Sequence, residues 1–441
     1  MNALERKITP LFLVKFTLPT IVMMVFNSFY TMVDGGFVSN FVGTDALSAV
    51  NIVYPVISLV LAVGIMLATG GCAVVAKQMG EGKEREARQS FSMLSAVGAA
   101  FGMAIALTGV VFTEQIVVAL GANESIYAYC YDYAFYTSLF SPFAILQILF
   151  QYFFVAAGQP NLGLVSTVLG GIANIVLDYV FIVPLDMGIK GAAIATGIGF
   201  AIPAFLGLFY FAGRINPSLH FVRPVLHVKT LLQACANGSS EMVSNLSVAV
   251  TTFLFNVMMM RYIGADGVAA ITIVLYAQFL FTAVFLGYTS GVAPLISFNY
   301  GARNTRRLKK IYRMSLLFTA ACSAVAAVLS VALAGTVVRL FAKPDTGVYE
   351  LAIHGMYLFA TGFLFMGLNI FASGLFTALS NGRVSAILSF LRTFVFIVAA
   401  VLILPALLGV DGIWLSIPAA EGLALIISAG CMIRFKKVYD Y

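Results

Sequence analysis

Six ionisable side chains lie inside long apolar stretches of this sequence: Asp34, Asp132, Asp178, Glu241, Arg392 and Glu421. A charge in hydrocarbon is costly, so each is a functional suspect by default. Asp178 follows Asn174 by four residues, which puts an amide and a carboxylate on one helix face. Asp34 stands some 18 residues beyond Phe16, and Asp178 some 16 beyond Leu162. At about 1.5 Å per residue, both reach the outer half of a membrane. Thr196, about six residues into the following stretch, stands at similar height. Two carboxylates, an amide and a hydroxyl at one level form an oxygen-rich site for a small hard cation. Alternatively, two close carboxylates share a proton. Bonding between neighbouring helices is the plainer role for Asn174 and Asp178, and the residues alone leave the choice open.

A second trio sits in the other half of the chain. Glu241 is about 10 residues into its span from the inner side and Arg392 about eight, so these two are expected to pair. Glu421, near the midplane, is a second candidate partner for Arg392. A buried pair is as often a structural lock as a working site, whereas a free acid here would attract a cationic substrate. Asn27, seven residues before Asp34, is expected to face the same cavity, as is Gln278 in the eighth span. Asp132, near the outer end of its helix, is expected to reach water.

The elements that hold these groups follow from composition. Of 441 residues, 61% are hydrophobic and 10% charged, against about 25% charged in a soluble chain. So few charges cannot build a water-facing surface, which excludes soluble domains, disorder and coiled coils. At about 20 apolar residues per crossing, twelve spans are expected near 13–36, 48–75, 90–112, 126–152, 162–183, 190–212, 231–259, 268–296, 313–335, 350–376, 384–405 and 412–433. Their continuous apolar runs favour helices over a β-barrel. If the N-terminus is cytoplasmic, 20 of the 25 Lys and Arg fall in inner loops and tails, Arg214 among them. Four (Lys190, Arg261, Arg339, Lys343) fall outside, and Arg392 lies within a span. Both termini are therefore expected in the cytoplasm. The net charge of +7 orients the chain and does not point to a nucleic-acid partner. No removable leader is expected before the first apolar run, and the five scattered cysteines read as small apolar residues. His354, near the start of the tenth span, shows no partner in the sequence.

The sequence also repeats. Shifted by 221 residues, "FVGTDALSAVNIV" (41–53) faces "YIGADGVAAITIV" (262–274), Gly70 meets Gly291, Gly80 meets Gly301 and Arg85 meets Arg306. Six spans per half bring both halves into the membrane in the same sense, with a pseudo-twofold axis along its normal. The expected fold is an all-α polytopic membrane protein of two six-helix lobes, 1–212 and 231–441, joined by a cytoplasmic linker over 213–230. At the same shift Asp34, Asn174, Asp178 and Thr196 map to Phe255, Val395, Ala399 and Ile417, so the oxygen cluster belongs to the first lobe only. Two such bundles enclose a cavity that can open alternately to either side, which favours a secondary transporter over an enzyme or receptor. The sequence has no HExxH, GxSxG or GxxxxGK[ST], nor an Asp-rich cluster for Mg²⁺, so neither catalysis nor direct use of ATP is expected. A lipid-linked saccharide flippase is the competing reading. It would be expected to carry several basic residues for a pyrophosphate, where this chain offers Arg392 alone.

Over essentially its whole length the chain resembles the multidrug and toxic compound extrusion (MATE) family. The resemblance rests on "LPTIVMMVFNSFYTMVDGGFVSNFVGTDALSAVNIVYP" (18–55), its echo in the second half, and "NIVLDYVFIVPLDMGIKGAAIAT" (174–196). It implies a V-shaped fold in a bacterial cytoplasmic membrane and export of organic, often cationic, drugs in exchange for H⁺ or Na⁺, with no further cofactor. By resemblance, Asp34, Asn174, Asp178 and Thr196 form the coupling site. NorM-type members also carry acids deep in the seventh and tenth helices. Here the tenth span has none and Glu241 comes early in the seventh, so the pattern looks closer to DinF-like or MepA-like members. Expected partners are small-molecule drugs and membrane lipid, with the protein acting as a monomer.

Overall fold

The computed structural model describes residues 3–213, 218–344 and 346–441; Arg214 and the linker stretch 214–217 lie outside the described residues. Among the described residues, eleven helices are long and apolar enough to cross a membrane, and a bent pair makes a twelfth crossing. The first lobe holds α1 (Pro10–Phe37), α2 (Thr44–Gly80), α3 (Glu84–Val111), α4 in two pieces (Tyr127–Leu139 and Ser141–Ala156), α5 (Pro160–Ile182) and α6 (Gly188–Ala212). The second holds α7 (Val228–Tyr262), α8 (Ala265–Gly301), α9 (Thr305–Ala332), α10 (Gly347–Ala378), α11 (Gly382–Leu408) and α12 (Ser416–Tyr439).

Local chemistry starts and interrupts these helices. The Thr9 hydroxyl caps α1 by accepting the Phe12 N–H at 3.1 Å, ahead of Pro10 in the first turn. Asn304, Asn381 and Thr346 cap α9, α11 and α10 in the same way. The two pieces of α4 meet at 51°, with Pro142 in the first turn of the second piece, where its ring cannot continue the preceding helix. Two helices carry a π-helical turn, at Val38–Val42 just beyond α1 and at Leu391–Val395 inside α11.

Burial divides the molecule along its depth. On the half that carries the basic loops, one apolar core runs through both lobes, from Phe16, Val75 and Phe153 to Tyr288 and Phe376. Toward the far face each lobe has a core of its own, around Val53 and Tyr133 in the first and Phe359 and Trp414 in the second. On α1 burial ends at Met23 except for Ser28. The lobes therefore join at the basic face and part toward the other.

Glycines make that joint. A Cβ on Gly80 would fall on the carbonyl oxygen of Phe298, and one on Gly301 would fall on that of Lys77. Lys77 and Phe298 are themselves 221 residues apart, so the two contacts are one contact repeated by the duplication. About three turns deeper, Gly70 meets the backbone of α7 at Ala234 and Gly238, and its repeat Gly291 meets Thr17 and Thr20 of α1.

The seventh helix begins at Val228, and the described linker residues before it form a packed strap. Within that strap the Val222 N–H donates to Ser92 Oγ at 2.9 Å, and Phe221 stacks on Phe91 with centroids 4.9 Å apart. His354 does have a partner, since its Nε2 lies 2.7 Å from Asp411 Oδ1 across the start of α10 and the α11–α12 turn. Asp132, expected simply to reach water, pairs with Lys190 at 3.5 Å while staying partly exposed.

Candidate functional site

In the first lobe, three helices bring the oxygen cluster together by close approach. A Cβ on Gly170 of α5 would sit 2.5 Å from the Gly199 carbonyl of α6, and one on Gly171 would sit 2.5 Å from the Phe26 ring of α1. These contacts bring the polar faces of the three helices together. Asn174 Nδ2 donates to Thr196 Oγ1 at 3.4 Å, while the Thr196 hydroxyl donates to Ala192 O at 3.0 Å. Asp178 is fully buried and Asn174 nearly so. Asp34, at the far end of α1 beside Gly35 and Gly36, is half-buried, and its carboxyl lies within hydrogen-bonding reach of that of Asp178.

The buried carboxyl oxygens of this cluster meet no donor. Among the described residues, Asp34 Oδ1, both oxygens of Asp178 and Asn174 Oδ1 are buried without a hydrogen-bond partner, and no basic group acts on either carboxyl. Buried acceptors left without donors are costly. A proton between the two carboxyls, or a hard cation among the oxygens, would satisfy them. Next to them is a cavity of about 10 Å³, room for one water-sized sphere, lined by Asn27, Tyr30, Gln147, Asn174, Thr196 and Phe200 among others. Asn27 thus lines this small cavity. Gln278 is half-buried on α8 and does not line this cavity. Tyr30 and Gln147, which also line it, add to the expected residues. Tyr30 is legible in the sequence, four residues before Asp34 on the same face; Gln147 comes from α4 and carries no local signal.

In the second lobe the charges arrange differently from expectation. Arg392 pairs with Glu421, Nη1 to Oε1 at 3.2 Å, and not with Glu241. Asn369 of α10 fixes the acid by donating from Nδ2 to Glu421 Oε2 at 2.7 Å and to the Glu421 carbonyl at 2.9 Å. Glu241 is half-buried and near enough to feel the guanidinium charge, without a salt bridge. Removing one partner of a buried pair strands the other, at roughly 3–5 kcal/mol. Arg392→Gln and Glu421→Gln should each lower the unfolding temperature in detergent more than the double variant does. Additive losses would contradict the pair.

The family described as MatE matches residues 19–180 and 242–402. The chain belongs to this family. The two matched stretches lie one in each lobe. Among curated relatives of this MatE chain is the multidrug export protein MepA of Staphylococcus haemolyticus (strain JCSC1435), 25% identical over 410 residues, 92% of this chain and 89% of that protein. MepA of Staphylococcus aureus (strain MRSA252) is 23% identical over 416 residues, covering 93% and 90%. A crystal structure of MATE in complex with MaL6 has a TM-score of 0.94 at 20% identity, covering 99% of this chain and 98% of that one. An outward-facing conformation of a multidrug resistance MATE family transporter of the MOP superfamily gives 0.91 at 21%, covering 97% and 96%. These likenesses establish the two-lobed helical fold.

Proposed function

We propose that the protein is a secondary multidrug exporter, moving lipophilic organic and often cationic molecules by alternating access in exchange for H⁺ or Na⁺. The observation that carries this reading is the set of buried, donor-less oxygens on Asp34, Asp178 and Asn174 in one lobe of a MatE fold. Asp34, Asn174, Asp178 and Thr196 form the coupling site. The substrate occupies the cleft between lobes 1–212 and 231–441, which the linker 213–230 joins. Asn27, Glu241, Gln278, Arg392 and Glu421 contribute to that cleft or its walls. Because Glu421 neutralises Arg392, Glu241 is the acid left to attract a cationic drug. The basic face is cytoplasmic by the positive-inside rule, in a bacterial inner membrane, and the parted far face opens outward. The protein acts as a monomer, takes energy from the ion gradient and needs no cofactor.

The lipid-linked saccharide flippase gains no support. The relatives named above are multidrug exporters, and Arg392, which lies well inside α11, is already paired. The test is export of a fluorescent organic cation from proteoliposomes under an imposed H⁺ gradient or Na⁺ gradient. Export under one of them is expected. Passive leak alone under both, with lipid-linked saccharides moved instead, would reverse the choice.

A further inference from the structure

The duplication allows the two polar clusters to be superposed position by position. At the shift of 221 residues, Arg392 corresponds to Gly171, Glu421 to Phe200 and Leu391 to Gly170. Gly170, Gly171 and Phe200 all line the water-sized cavity beside the first lobe's oxygen cluster. The second lobe thus puts an arginine and its acid where the first lobe keeps a small space walled by glycine. The backbone differs at the same place: 391–395 is a π-helical turn, while 170–174 is regular helix inside α5. Such widened turns re-aim side chains and gather at functional sites.

Charge follows the same contrast. Among the described residues no basic group acts on the Asp34 and Asp178 carboxyls, so the positive charge they take up comes from solution. Glu421 has a guanidinium at 3.2 Å and an amide at 2.7 Å, on a side chain only 4% exposed. A guanidinium keeps its charge at any working pH and cannot leave. We propose that Arg392 is a tethered cation, permanently holding in the second lobe the place of the small cavity that adjoins the coupling carboxyls in the first, so that only the first lobe exchanges an ion. This rests on the coupling role proposed for Asp34 and Asp178, and assigns Arg392 the task of fixing the number of ions per drug.

The experiment measures that number. In proteoliposomes clamped at zero potential, one ion per monovalent drug cation lets a tenfold ion gradient hold an about tenfold drug gradient, and two ions allow about a hundredfold. The parent and Arg392→Lys, which keeps a tethered charge, should both hold about tenfold. A hundredfold gradient in the parent overturns the proposal. Arg392→Gln frees the acid, so stabilisation against heat by added Na⁺ or H⁺ should gain a second saturable phase. Arg392→Gln/Glu421→Gln should lose that phase again. A single phase in Arg392→Gln, folded as judged by its unfolding transition, also overturns it. If the parent shows no coupled export at all and Asp178→Asn binds cations as the parent does, the first-lobe reading fails and takes this proposal with it, a pattern distinct from the others.

Discussion

In proteoliposomes of the Asp178→Asn variant, an imposed ion gradient is expected to move no drug, although the protein inserts, folds and still binds the drug. The substitution keeps shape and removes charge at a fully buried position whose two oxygens have no donor. The new amide donates to Asp34, so the variant imitates the ion-loaded cluster permanently. A ligand that no longer distinguishes two states cannot shift them. The parent should convert a tenfold ion gradient into about 1.4 kcal/mol of drug gradient per ion, and the variant into none. Its unfolding temperature should equal or exceed that of the parent, because a stranded buried carboxyl is gone. Parent-like coupled export in this variant would remove the first-lobe cluster from the mechanism.

The second large effect concerns the joint at the basic face. Gly301→Leu or Gly80→Leu should drive the lobes apart there and expose the inner ends of α1 and α2. At both glycines the obstacle is a backbone carbonyl, of Lys77 or Phe298, which no rotamer change can remove. Overpacking costs about 1–3 kcal/mol, enough to shift a two-state equilibrium roughly 5- to 150-fold. The cost falls only on the conformation closed at this face. A cysteine placed at Thr20, fully buried in the structure, should react with a thiol reagent from the basic side in either glycine variant and stay protected in the parent background. Export should fall by a comparable factor. Equal protection with unchanged export would mean that this joint stays shut throughout the cycle.

Much of this arrangement was readable in the sequence, and for definite reasons. Lipid leaves backbone groups no partner but each other, so apolar length alone yields the helices. The fixed rise of a helix placed Asp34, Asp178 and Thr196 at one height, and the four-residue spacing put Asn174 beside Asp178. The paired glycines at 70 and 291, and at 80 and 301, marked the duplication. The structure adds that they are the surfaces on which the halves touch. Depth arithmetic failed at Arg392. It offered Glu241, at similar height, but Arg392 stands in the π turn Leu391–Val395 and its guanidinium meets Glu421 instead. Asn369, a single amide within an apolar span, then holds Glu421 ready to receive it. Neither effect leaves a periodic trace. The His354 to Asp411 contact was hidden likewise, because it joins two ends that only tertiary packing brings together.

Coupling between two binding equilibria must run in both directions, and that makes the reverse experiment the most direct one. Proteoliposomes would be given a gradient of an organic cation and no ion gradient, and H⁺ and Na⁺ inside would be followed. The account predicts that the drug gradient drives one of these ions uphill in the parent, and drives neither in Asp34→Asn or Asp178→Asn. Collapse of the drug gradient through the parent protein with no ion movement would contradict it.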